Sequence, residues 1–338
     1  MSMPPSLRRG AASLSLAAAC AALILILPLP SLLAAPDDPK ITLGVLRRDG
    51  LLVPFGSYNG HDWAAPWPNS LAGRALPIAV DDIPKDWWGA AGPGAAWTAW
   101  LPDPTLRSQP LHLDRPVQYP VFCVTRLGVT TDYQGPPLTE RAPTLPKDGL
   151  AIAGGATLLP IGTMPPNTKE PRRMADLILD EFNREERKAA QRFVSWTHPF
   201  KQADRERLPI EIESYYRSTQ TTSRGAWTVS YIEAVRKFPP GPQDRGCGLI
   251  TYANGWVTER EGKKPDIRIG ARVTYCDRDG VSFMQPFGRL VLKDEVYWVY
   301  QLSSWNDEIY VVSRIRPTEI RAVVAVSGGA CARPRFAR

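Results

Sequence analysis

The chain has 338 residues, with 41 Lys and Arg against 34 Asp and Glu for a formal net charge of +7. The excess is mild and interspersed, as in Arg184-Glu185-Glu186-Arg187-Lys188, which argues against the one-signed stripe of a nucleic-acid-binding face. Its 34 prolines and 11 tryptophans suit short strands joined by turns, and its length makes two domains the default over a single core.

Arg8 and Arg9 precede an uncharged stretch whose centre, Leu14 to Leu27, is almost wholly apolar. Residues 1–35 therefore read as a signal peptide with small residues Ala34 and Ala35 before the cut or, if uncleaved, as a signal anchor tethering the chain through residues 11–35. Both versions place residue 40 onward outside: secreted, periplasmic or on the cell surface. A lipid-carrying Cys20 is disfavoured, because the most hydrophobic run follows it instead of preceding it.

A β-rich unit is expected over residues 38–135. Asp49-Gly50 and Asn59-Gly60 sit between apolar runs and predict hairpins with type I′ turns. Residues 64–95 are too broken by Pro and Gly for a regular element, and β structure resumes from Ala96 to Tyr133. Residues 136–148, within a proline-rich stretch that begins at Gln134, read as a linker.

A second, α+β unit follows over residues 149–331. Gly149 to Gly162 reads as a buried strand with a glycine bend. Pro171 to Phe193 shows one apolar face at helical spacing (Met174, Leu177, Ile178, Phe182, Ala189, Phe193), with Asp180 and Arg184 four apart on the exposed side. That pattern predicts a helix packed on a sheet. From Pro209 to Val326 the chain reads as one antiparallel meander, with turns at Asn254-Gly255, Asp279-Gly280, Lys293-Asp294 and Asn306-Asp307. Residues 332–338 form a basic tail. The fold class is thus mainly β, or α+β. A propeller-like repetition is the alternative, prompted by the similarity of Leu52–Asn59 to Val299–Asn306.

Cys123, Cys247, Cys276 and Cys331 are disulfide candidates in an oxidising compartment, with Cys331 after Gly328-Gly329 placed to pin back the tail. His61, His112 and His198 share no helical spacing with one another, and no C-x-x-C is present, so no metal site is expected. No motif calls for a cofactor. A cysteine nucleophile at Cys123, with His112 nearby in sequence, or at Cys247 is outweighed by the disulfide reading. Paired carboxylates near aromatics occur at Asp81 and Asp82, Glu211 and Glu213, and Asp307 and Glu308; the simpler reading of each is solvated surface.

Trp63, Trp67, Trp87 and Trp88 crowd a Pro/Gly-rich region, where indoles could bind a partner or a sugar ring, or instead fill the core of a domain short of Leu and Ile. The functional expectation is an exported, non-catalytic binding or surface-interaction module for an extracytoplasmic glycan or protein. The alternative is a secreted, glycan-directed hydrolase using two carboxylates.

Overall fold

Every strand pairing in the computed structural model is antiparallel, and the strands fall into three sheets. The structure describes residues 39–101, 108–135, 147–191, 198–222, 225–240 and 248–331. The leader, most of the linker, Phe193, Cys247 and the basic tail lie outside the described residues.

The first sheet holds β1 (Ile41–Arg47), β2 (Leu51–Tyr58), β3 (Trp63–Ala64), β4 (Trp97–Trp100), β5 (Ser108–Leu111), β6 (Leu113–Val121), β7 (Val124–Thr131) and β8 (Lys147–Ala153). Its order is β5-β4-β8-β1-β2-β7-β6, with β3 beside β2. The second holds β9 (Gly162–Thr163), β10 (Glu211–Thr222), β11 (Gly225–Lys237), β12 (Leu249–Arg260) and β13 (Asp266–Tyr275), in reverse chain order. The third is a meander of β14 (Phe283–Leu292), β15 (Glu295–Ser303), β16 (Asp307–Arg316) and β17 (Glu319–Ala330). The expected single meander after Pro209 is therefore two sheets, separated between Tyr275 and Phe283.

The third sheet is the middle layer. Along β15 successive side chains face opposite ways: Tyr297 and Val299 join a core with Leu43, Phe55 and Ile152 of the first sheet. Val296, Trp298 and Tyr300 join another with Trp227, Val229 and Tyr231 of the second. A strand buried on both faces reads as a continuous apolar run, as EVYWVYQLS does. Sheet membership also cuts across the boundary suggested by the prolines. Lys147 and Asp148 open β8, which lies between β1 and β4, and Asp38–Arg338 is one compact unit.

One long helix, α1 (Lys169–Gln191), packs on the second sheet. It starts two residues before Pro171, which falls in the first turn, where a missing N–H leaves no bond unmade. Met174, Ile178 and Phe182 are fully buried against Ile212, Ile232 and Val257, an upper estimate of about 5–9 kcal/mol of apolar burial. On the exposed side Arg184 pairs with Glu181 and Glu185, one turn position away from the expected Asp180. At the far end of the helix, fully buried Glu186 accepts a hydrogen bond from fully buried Arg236 of β11 at 2.6 Å. Arg205, in the short helix α2 (Gln202–Glu206), approaches the same carboxylate at 3.6 Å.

The hairpin positions hold, but their geometry differs. Gly50 and Gly60 have positive φ while Asp49 and Asn59 do not. The Gly50 amide donates to the Arg47 carbonyl at 3.0 Å, the pattern of a turn closed by a left-handed glycine. The side chain of Asn59 accepts from the amides of His61 and Asp62. The pair meeting the type I′ requirement is Lys293-Asp294, at φ 49° and 64°. Asn254-Gly255 is no turn: it lies inside β12, where a Cβ on Gly255 would meet the Arg268 carbonyl at 2.1 Å. That glycine serves close backbone approach.

Candidate functional site

The strands β6 and β7 are joined by only two residues, since Val121 pairs with Val124 across Phe122 and Cys123. Phe122 occupies φ +50°, a left-handed conformation that is a genuine outlier for a bulky side chain. Cys123 is bonded to Cys331, just past β17, with the two Cα atoms 4.7 Å apart. The Cys331 amide in turn donates to the Asn306 carbonyl at 2.7 Å, in the loop between β15 and β16. That loop is closed by the Ser304 amide on the Asp307 carbonyl at 2.9 Å and by the Ser304 hydroxyl on the Asp307 carboxylate. A hairpin tip, a strand end and a loop are thus riveted together. The bond closes a span of 208 residues, which chain-entropy reasoning values at about 5 kcal/mol.

Three large apolar side chains stand exposed at this end: Trp305 at 68%, Phe122 at 43% and Val124 at 36%. Gly328 and Gly329 let β17 lie close beneath them. A Cβ on Gly328 would fall 2.6 Å from Glu308 Oε1, and one on Gly329 would fall 2.8 Å from the Val121 side chain. Under the exposed layer, Glu308 is buried and accepts from the Tyr310 hydroxyl at 2.5 Å. Burial, then the neighbouring carboxylate, pushes the Tyr310 phenol well above its ordinary value, so it stays a neutral donor. This end is built to present apolar surface from a rigid base.

The tryptophans singled out in the sequence are elsewhere. Trp67, Trp87 and Trp88 are buried and tile one another, with Trp67 and Trp88 5.3 Å apart and Trp67 and Trp87 6.1 Å apart. The Trp67 indole donates to the Leu127 carbonyl at 3.0 Å. Trp63 is half-buried between Tyr58 and Tyr297. Trp67, Trp87 and Trp88 are core, the reading weighed beside binding, because the loop carrying them has few other large apolar residues to cover the outer face of the first sheet, while Trp63 packs at the margin of the core between the first and third sheets.

Five of the six candidate acids, Asp82, Glu211, Glu213, Asp307 and Glu308, have local partners. Glu211 pairs with Lys237 at 2.5 Å, and Glu213 with Arg278 at 2.7 Å. The Asp82 carboxylate accepts from the Ala79 amide at 3.0 Å. Beside Lys237 and Arg278 lies a cavity of about 220 Å³ walled by Val235, Phe238, Leu249 and Ile250. Sequence reasoning missed Glu233, hidden in the apolar run of β11. Burial raises its pKa, and it accepts from the Met284 amide at 2.7 Å, joining the second sheet to the third. Cys123 is a disulfide sulfur rather than a nucleophile. His112 contacts Asp132 at 2.8 Å instead. Cys276 is also disulfide-bonded. Among the described residues no group of three His, Cys, Asp or Glu side chains is placed to hold a metal ion.

Comparison with known proteins finds no matching family model, curated protein or solved structure.

Proposed function

We propose that this is an exported, non-catalytic binding protein that engages its partner at the disulfide-linked end. The observation that carries this reading is the grouping of Trp305, Phe122 and Val124, exposed around the Cys123–Cys331 bond, while the tryptophans of the Pro/Gly-rich loop are buried. Clustered exposed apolar residues mark interaction sites, and Trp is the residue most enriched in binding hot spots. Disulfides at Cys123–Cys331 and at Cys276 suit the oxidising compartment to which the leader directs the chain. The hydrolase alternative needs two carboxylates flanking a cleft; the pairings of Glu211, Glu213 and Asp82 favour binding over it. Covering what remains exposed of the three apolar side chains supplies about 3–4 kcal/mol, a millimolar contact by itself, so the partner must add further interactions.

The test is photo-crosslinking in the producing cell, with a benzophenone amino acid at position 305 or, as control, at exposed Tyr275. Adducts at 305 and none at 275 are expected. Adducts only at 275, or at neither position, would overturn the reading.

A further inference from the structure

We infer that the cavity on the second sheet is a second binding site, for a small amphiphilic carboxylate: one acid group on an apolar body the size of a phenyl ring with a short chain. Its walls come from the ends of β11 and β12 and from the turn after β13, and they share no residue with the disulfide-linked end.

The floor is apolar and the rim is cationic. Val235, Phe238, Leu249 and Ile250 are buried and offer aliphatic branches and one phenyl ring. Lys237 and Arg278 line the mouth, so the lining among the described residues carries two positive charges and no acid. Water in a space of about 220 Å³ amounts to roughly seven molecules, and those over the floor meet few polar partners. An apolar group that displaces such poorly held water gains affinity. A cavity of about 150 Å³ takes benzene, so this one has room for a ring with two or three further carbons. A polar head on that body reaches the rim, where cations favour a carboxylate.

Neither cation is used up by its own acid. Arg278 is held in a left-handed conformation at φ +60°, uncommon for a residue with a Cβ and a mark of functional turns. Its guanidinium lies over the Tyr252 and Phe283 rings at 6.0 and 5.5 Å and donates to Glu213 at 2.7 Å. Among the described residues no other acceptor meets it, so most of its N–H donors are left for a carboxylate, which they can grip as a fork. The Lys237–Glu211 pair is more than half exposed on both sides, a contact of little strength in water, so the ammonium can turn to a ligand. The walls are pinned in advance. The Cys276 amide donates to the Gly248 carbonyl at 3.0 Å and the Phe238 amide to the Leu249 carbonyl at 3.1 Å, and Cys276 is disulfide-bonded. A preformed apolar cavity with a few convergent polar groups is the usual form of a small-ligand site.

The experiment is a ligand-detected NMR titration of the purified protein, disulfides intact, with 3-phenylpropanoate at about pH 7. Saturable binding with a Kd of about 0.1–1 mM is expected for a ligand of about eleven heavy atoms. The neutral 3-phenylpropanamide, and acetate, which lacks the apolar body, should each bind at least about 10-fold more weakly. Arg278→Gln should bind the acid no better than the amide, a ratio that a change in overall stability does not move, and Arg278→Lys should restore part of the preference. If these variants do not fold, the acid-to-amide ratio of the wild-type protein decides. Trp305→Ala should bind the acid like wild type. No saturable binding, equal binding of the acid and either control by wild type, or a preference that survives in Arg278→Gln would overturn the inference and leave the reading of the disulfide-linked end standing. Acid binding lost in Trp305→Ala would overturn it by moving the ligand to that end.

Discussion

The most informative single position is Phe122, whose left-handed φ of +50° can be separated from its packing by comparing two truncations. Phe122→Ala and Phe122→Gly both remove the ring, so the packing lost is common to them. They differ in what the backbone prefers. At an ordinary position glycine is less stable than alanine by roughly 0.5–1 kcal/mol, because it surrenders more freedom on folding. At a left-handed position an L-residue with a Cβ bears about 1–2 kcal/mol that glycine does not. The two terms oppose each other, and the second wins by about 0.5–1 kcal/mol. Phe122→Gly should therefore be the more stable variant, a reversal of the usual order. Urea unfolding with the disulfides intact reads this as a higher midpoint at equal slope. If Phe122→Ala proves as stable as Phe122→Gly or more so, the strain is absent, and with it the argument that the tip holds a phenyl ring against its backbone preference for the sake of binding.

Two further outcomes test the interior. Glu186→Gln takes from the buried Arg236 and Arg205 the carboxylate they share and should cost about 3–5 kcal/mol in urea unfolding; adding Arg236→Met should recover most of it. A loss below about 1 kcal/mol would refute the account of this cluster. Burial, and secondarily Arg205, pushes the His198 imidazole down to about 4 from its ordinary 6.5. Between those values the folded state binds fewer protons than the unfolded, so this contribution to stability is present above pH 6.5 and is lost as pH falls toward 4. His198→Asn should flatten the dependence of melting temperature on pH across that window; an unchanged slope would show that His198 is not the group responsible.

Much of the fold was legible because strand and helix periods are local. The apolar spacing over Met174, Ile178 and Phe182 placed α1 on a sheet, and most strands of the C-terminal half fall within a few residues of the expected ones. Between the expected turns at Asp279-Gly280 and Lys293-Asp294 there is a single strand, β14, whose register shifts between Pro286 and Gly288. It is an edge strand of its sheet, where a missing N–H is tolerated. The division into sheets was not legible, because the break between Tyr275 and Phe283 depends on which faces meet across the molecule. Glycine misled at Asn254-Gly255 for a related reason, since its purpose there is proximity to β13 rather than a turn.

The site was harder to read than the fold. Composition pointed to Trp87 and Trp88, yet a tryptophan's neighbours in sequence do not say whether other chain segments cover it; Trp88 is completely buried and Trp305 largely exposed. The turn at Phe122-Cys123 carries none of the Gly, Asn or Asp residues that signal a hairpin, and so vanished inside the β-rich stretch read from Ala96 to Tyr133. The one available signal was a cysteine beside a large apolar residue, with a second cysteine following a glycine pair near the last strand.

That pairing explains why the tip can serve as a docking element at all. An exposed two-residue turn and a strand end, left to themselves, sample many arrangements, and a partner would have to bear the ordering entropy on contact. Here the Cys123–Cys331 bond and the amide of Cys331 on the Asn306 carbonyl fix the backbone of all three segments during folding. The ordering is charged to the stability of a large core, which can absorb it, and not to a contact worth only a few kcal/mol. Reducing this disulfide should therefore weaken partner crosslinking through position 305 even in conditions where the sheets remain folded. Photo-crosslinking at position 305 and far-UV circular dichroism, followed together during graded reduction, separate the two. If binding persists until the β signal collapses, the disulfide contributes only to global stability, and the tip is not pre-organised by it.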